Sequence, residues 1–148
     1  MNNTALSANL QTIEFASENH RDFYEEYLLQ CRHQDVYHKA LIYCVGISAD
    51  TRNHFHSIYD IERGYVKTEC LREGWITSGS SRIVRMAFNL YCNGTPSAND
   101  YEDAEEQMDE MRAYTVEDLF CCEYASYFWQ AVKIRYPEYC SKKAGALC

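Results

Sequence analysis

Two neighbouring apolar stripes of helical period constrain this chain more than any other feature. From Arg21 to Arg32 the apolar side chains fall at Phe23, Tyr24, Tyr27, Leu28 and Cys31, and Glu25, Glu26 and Gln30 take the opposite side. The spacing repeats at Val36, Tyr37, Ala40, Leu41, Cys44 and Val45. Residues three and four apart share one helix face, so each stripe predicts an amphipathic helix that must bury that face. Ser17 or Asn19 is placed to cap the first helix and Asp35 the second, with Gly46 near the second helix's end. A joint this short makes the two helices antiparallel neighbours.

Ser48 starts a third, shorter helix with Phe55, Ile58 and Tyr59 inward. The helical period then lapses. Arg63-Gly64 signals a turn and Tyr65-Val66-Lys67-Thr68 has β propensity, which predicts a short β turn or hairpin around 60–76. Thr77-Ser78-Gly79-Ser80 reads as a loop and N-cap before a fourth helix, 81–92, with Ile83, Ala87, Leu90 and Tyr91 turned inward. Asn93-Gly94 and Pro96 mark the next loop. Seven carboxylates fall between Asp100 and Glu110, in an acidic helix whose narrow apolar stripe is Ala104, Met108 and Met111. Thr115-Val116-Glu117-Asp118 resembles a capping box, and a final helical region carrying Leu119, Cys122, Phe128, Trp129 and Val132 runs to Pro137. Leu10 to Phe15 alternates as an edge strand or a docked arm would. The expectation is a mainly α, single compact domain of about five or six helices over 17–140, with an N-terminal arm at 1–16 and a flexible tail at 141–148.

Length and charge narrow the function classes. At 148 residues the chain can bury one core. Its 14 basic and 22 acidic residues leave a net charge of -8. That argues against direct nucleic-acid binding, which needs clustered Lys and Arg; it favours solubility and is compatible with a basic partner. Eight cysteines are scattered, several of them on apolar stripes, and Met1 to Gln11 is polar. The expectation is therefore free buried thiols in a reducing compartment, not a disulfide framework. No apolar run approaches a membrane span. The 13 tyrosines suit core and boundary positions with the hydroxyl reaching outward, or a binding face.

Five groups of residues invite a chemical reading. Cys31, His33, His38 and Cys44 lie in one helix-turn-helix region, but they lack the close paired register of a zinc site, as do Cys121-Cys122 and His54-x-His56. No metal or cofactor is expected. For covalent catalysis, the one cysteine beside an arginine row is Cys92, and no G-x-S-x-G elbow is present. No catalytic residue is assigned. For anion binding there is no phosphate loop, but a Ser/Gly-rich segment opens the helix that carries Arg82, Arg85 and Asn89 on one face. Ser78, Ser80, Arg82, Arg85 and Asn89 form the ligand-binding alternative. The competing account pairs these arginines with the acidic helix 101–112. The acidic helix itself supplies the partner-binding candidates Glu102, Asp103, Glu105, Glu106, Asp109 and Glu110, either as mimics of a nucleic-acid backbone or as a solvated face. Finally, His20 and Asp22 sit close around the first helix start, where His20 offers an acid/base group without a second half.

His20-Arg21-Asp22-Phe23-Tyr24, Asp50-Thr51-Arg52 before Phe55 and Tyr59, Gly74-Trp75 with Thr77-Ser78, and Arg85-Met86-Ala87-Phe88-Asn89-Leu90-Tyr91 carry a resemblance. Over roughly His20 to Tyr139 the chain resembles a family of short proteins bearing a domain of unknown function, from Gram-positive gut anaerobes and their phages and mobile elements. The resemblance implies a small accessory protein and carries over no catalytic residue. The function expected is a non-enzymatic, protein-binding accessory protein of phage or mobile-element type. Its specific form is an inhibitor of a host defence protein such as a CRISPR nuclease, acting in the cytoplasm (host cytosol if phage-borne). The alternative is a ligand-binding or catalytic domain that recognises an anionic small molecule, a nucleotide signal, through the Ser/Arg/Asn face of helix 81–92. A homo-oligomer is compatible with either, a membrane with neither. A helix-turn-helix DNA-binding regulator drawn from 36–59 is disfavoured by charge.

Overall fold

The structure, a computed structural model, describes residues 13–140. The readings of Met1–Ala8 as frayed, of Leu10–Thr12 as strand or arm, and of 141–148 as a tail lie outside the described residues.

The first helix, α1 (Glu18–Gln30), is capped by Ser17, whose hydroxyl accepts from the His20 N–H. The second, α2 (Val36–Val45), is capped by Asp35 and ends at Gly46. Ala40 through Val45 are all buried, so α2 is apolar on every side. A helix of that kind belongs in the middle of a core. It packs against α1, α5 (Ser78–Cys92) and α8 (Ala125–Arg135), which enclose it. The outer end of α2 departs from the sequence pattern: Tyr37 is partly exposed, with one face of its ring against the Arg135 guanidinium, 3.7 Å from the ring centre.

Between α2 and α5 the chain runs through α3 (Ala49–Asn53), α4 (Phe55–Ile58) and a two-stranded antiparallel hairpin, β1 (Tyr59–Asp60) with β2 (Tyr65–Val66). Ser48 caps α3, and the expected single helix breaks at His54. Phe55, Ile58 and Tyr59 are buried as the pattern requires. The hairpin turn depends on Gly64, whose φ of 77° is left-handed backbone that costs other residues strain. A 3₁₀ turn (Thr68–Arg72) leads to α5.

Helix α5 starts earlier than the sequence reading placed it. Thr77 is the N-cap, and Ser78, Gly79 and Ser80 form the first turn, not a loop. A reciprocal capping box holds the start: the Thr77 hydroxyl accepts from Ser80 N–H at 3.1 Å, and the Ser80 hydroxyl accepts from Thr77 N–H at 2.7 Å. Ile83, Ala87 and Leu90 are buried, joined by Val84, Met86 and Phe88, whereas Tyr91 is half-buried. Asn93 ends α5 in the left-handed region at φ 60°. Arg135 Nε donates to Leu90 O, and its NH2 donates to Asn93 Oδ1, which ties α8 to that end.

The acidic segment is helical only from α6 (Ala104–Arg112), preceded by a short 3₁₀ turn (Ala98–Asp100) and capped by Asp103. Ala104, Met108 and Met111, expected as its inward stripe, are exposed; the residue of α6 that is buried is Glu110. The last helical region is broken in two, α7 (Val116–Phe120) and α8, by a turn over 121–124. Thr115 caps α7 through Asp118 N–H, but its own N–H goes to Arg112 O, so the box is one-sided. Helix α8 ends as expected at Pro137, with Tyr136 before it as the non-helical C-cap, and Pro137 then opens a further turn, α9 (Pro137–Cys140), where its missing N–H is harmless.

Among the described residues there are thus nine α-helical segments, and the added ones come from breaks at His54 and 121–124 and from the turn at Pro137. Ile13 and Phe15 pack on the core, with Glu14 N–H donating to Gln130 and the Tyr43 hydroxyl donating to Glu14 O, and 13–15 is not a strand. No helix among the described residues is long and apolar enough to cross a membrane.

Candidate functional site

The polar row of α5 points at the α6–α7 segment. Arg85 NH2 meets Glu110 Oε2 at 2.9 Å and Nε meets Oε1 at 3.3 Å, a forked pair whose side chains are 18% and 5% exposed. The Ser97 hydroxyl donates to Glu110 Oε1 at 2.7 Å, and the Tyr101 hydroxyl reaches Oε2. Burial would push the Glu110 carboxyl up. The hydrogen bonds and charge of Arg85, with the Ser97 bond, outweigh burial and hold the carboxyl below its ordinary value. Arg82 Nε donates to Asp118 O at 3.0 Å and its NH1 to Ser78 O. Asn89 Nδ2 donates to Tyr114 O at 3.4 Å. Three side chains spaced along one helix face therefore hold three points between 110 and 118.

The other members of the anion-binding set are placed as follows. Ser80 is buried and engaged in the capping box, and Ser78 is exposed with its carbonyl accepting from Arg82 and Ser81. The Tyr124 ring lies over Gly79, 3.2 Å from where a Cβ would stand, and so covers part of the helix N-terminus.

Of the acidic set, Glu102, Asp103, Glu105, Glu106 and Asp109 are exposed, and Glu110 is turned inward to Arg85. Asp103 also accepts from Glu105 N–H, and Asp109 pairs with Arg112 at the surface. The charge is unevenly distributed. Residues 100–140 hold eleven carboxylates against Arg112, Lys133 and Arg135, whereas the rest of the chain holds eleven of each sign. The whole excess of negative charge thus lies in the last third of the fold.

Beside the acidic helix lies a feature the sequence pattern did not show. A half-open groove of about 410 Å³ runs between α7 and α8 over the end of α5. Its walls include Tyr114, Val116, Phe120, Trp129, Val132 and Tyr136. Val116 is 73% and Trp129 51% exposed, the reverse of a core role. One signal was available: Val116 immediately precedes two acids, at the first position of a capped helix, where side chains rarely face the core.

The remaining candidates lie apart from this face. His20 is fully buried and does not pair with Asp22. Its Nδ1 accepts from Ala16 N–H at 3.0 Å, and Nε2 lies 2.7 Å from Tyr43 O, an arrangement that fits the neutral ring with its proton on Nε2. Burial lowers its pKa to about 4, against the raising effect of the Tyr43 carbonyl. Among the described residues no three His, Cys, Asp or Glu are grouped to hold a metal ion. The seven described cysteines are unpaired. Cys31, Cys44 and Cys70 are buried as expected, but Cys92 and Cys121 are exposed. The Glu117 carboxylate raises the Cys121 thiol, and the protein packed around the exposed Cys92 raises that thiol by partial desolvation, opposite to what a thiolate nucleophile requires.

Over residues 10–146 the chain matches the family of unknown function DUF6075, and it belongs to that family. No curated protein and no solved structure matches it.

Proposed function

We propose that this chain is a non-enzymatic, protein-binding accessory protein whose contact surface is the acidic face of residues 100–140. The observation that carries the reading is the segregation of charge: the entire net charge of -8 resides in that segment, and its exposed carboxylates Glu102, Asp103, Glu105, Glu106 and Asp109 lie close together. A one-signed field of this kind steers a protein toward a basic surface and fixes its orientation there. Glu110 takes no part, being the inward anchor of Arg85. In its specific form the partner is a host defence protein with a nucleic-acid-binding groove, such as a CRISPR nuclease, and the chain is an inhibitor borne by a phage or mobile element. The acidic row would then occupy the place of a phosphate backbone.

The test is affinity capture from host lysate with the parent protein and with the variant carrying Glu102→Lys, Asp103→Lys, Glu105→Lys and Glu106→Lys. All four residues are exposed, but Asp103 also caps α6, so a second variant with Asp103→Asn, which keeps the cap, beside the three Glu→Lys changes separates loss of charge from loss of the helix start. A protein retained by the parent and lost with both variants is expected. Equal retention by all three removes the acidic face from the interaction. The rival reading, a nucleotide signal on Ser78, Ser80, Arg82, Arg85 and Asn89, is addressed by thermal shift: stabilisation by a nucleotide, with capture unaffected by charge reversal, would replace the proposal.

A further inference from the structure

Resting on that reading, we propose that the groove beside the acidic face receives the apolar side of a basic amphipathic helix of the partner. The groove is large enough for a small ligand, since such sites run roughly 300–1,000 Å³. Its chemistry points elsewhere. Small-ligand sites carry a few aimed polar groups, but the lining here is mostly apolar: beside the indole N–H and the Tyr136 hydroxyl, the Tyr114 hydroxyl is engaged by Ser97 and Asn89 already donates to the Tyr114 carbonyl. An open apolar trough on a helical surface is the counterpart of a helix laid in by its apolar face. Trp129 and Val116 project into solvent as anchors for such a helix.

Charge selects the occupant. Residues 100–140, which supply α7, α8 and the flanking α6, hold eleven carboxylates and three basic side chains, and the two arginines of α5, Arg82 and Arg85, are already engaged by Asp118 O and Glu110. A second copy of this chain would bring the same excess to the contact and be repelled. A helix with Lys or Arg beside its apolar stripe gains both terms, as apolar residues fill the groove and cations meet the acidic surroundings. The chain's own end, with Lys142, Lys143 and Leu147, shares that chemistry, so its removal is one arm of the test.

The experiment uses the full chain with Trp75→Phe, which leaves Trp129 as the sole tryptophan reporter. The probes are a short synthetic Leu/Lys peptide with leucines at helical spacing, the same peptide with serine for leucine, and the same with glutamate for lysine. The Leu/Lys peptide should bind and shift Trp129 emission to the blue. The serine and glutamate versions should bind more weakly by about tenfold or more. Val116→Asp should also weaken the Leu/Lys peptide by about tenfold. This variant adds negative charge, so a purely electrostatic contact would tighten, and at a 73% exposed first-turn position it leaves the fold intact.

Absence of Leu/Lys binding, equal binding of the serine peptide, or indifference to Val116→Asp would each overturn the groove assignment. Loss of lysate capture on charge reversal would still sustain the wider reading, so the two fail separately. A gain of about tenfold on removing 141–148 would make the chain's own end the occupant. A dimer in sedimentation that Val116→Asp dissociates would make it a second copy. Either result replaces the partner helix.

Discussion

Replacing Arg85 with alanine leaves the Glu110 carboxylate, its side chain 5% exposed, without its cation. Ser97 and Tyr101 would still donate to it, but neither neutralises the charge. Removing one partner of a buried ion pair costs about 3–5 kcal/mol because an uncompensated charge remains. The two surviving hydroxyl donors place the expected loss near the lower end, about 3 kcal/mol, which for a chain of this size lowers Tm by about 10 °C. The pH dependence should change sign. In the parent, the Glu110 carboxyl is held below its unfolded value, so its stabilisation is present above the unfolded pKa and is lost as pH falls through the folded one. Without Arg85, burial dominates and the carboxyl rises above its unfolded value. Its contribution is then present at acid pH and lost as pH rises. Urea unfolding at pH 7 and pH 4 measures both effects, and a double-mutant cycle with Glu110→Gln should give a coupling of about 1–3 kcal/mol. A loss at pH 7 within about 0.5 kcal/mol, as for exposed pairs, would refute the view that this pair clamps α6 to α5.

Three further outcomes are expected. His20 has its pKa lowered from 6.5 to about 4, so its contribution to stability should be full above pH 6.5 and fall as pH drops toward 4, by up to about 3 kcal/mol; the part of the fall above the carboxylate range, between about pH 6.5 and 5, should be absent in His20→Gln, as read by denaturant midpoints. Gly46→Ala would place its Cβ 2.6 Å from His20 Cδ2 and 3.0 Å from Phe23 Cδ1, so thermal melts should show a loss of about 1–3 kcal/mol. Thr77→Ala removes the acceptor for Ser80 N–H and should cost about 1 kcal/mol, measured the same way.

What was legible in the chain was local. Ser17, Asp35 and Ser48 cap helices from within three residues, and all three starts follow from that short reach. Thr77 obeys the same rule but was obscured by Gly79 and the serines, whose loop propensity is overridden by the reciprocal capping box. The arginine row and the acidic run were each visible, but the meeting of Arg85 and Glu110 spans 25 residues and depends on how α6 lies on α5. The apolar positions of α6 misled for a related reason. Period shows that Met108 and Met111 share a face, not which way that face turns, and the inward position went to a carboxylate because Arg85, Ser97 and Tyr101 were there to satisfy it. The groove was invisible because the turn over 121–124 separates α7 from α8, and an unbroken helix would have no such cleft.

The central claim is that the acidic last third of the fold, not the arginine row, meets the partner. Hydrogen–deuterium exchange on the protein bound to its captured partner tests this most directly. Protection should appear in peptides from 101–120 and 125–136, with 78–89 unchanged. Protection confined to 78–89, with the acidic segment exchanging as in the free protein, would contradict it.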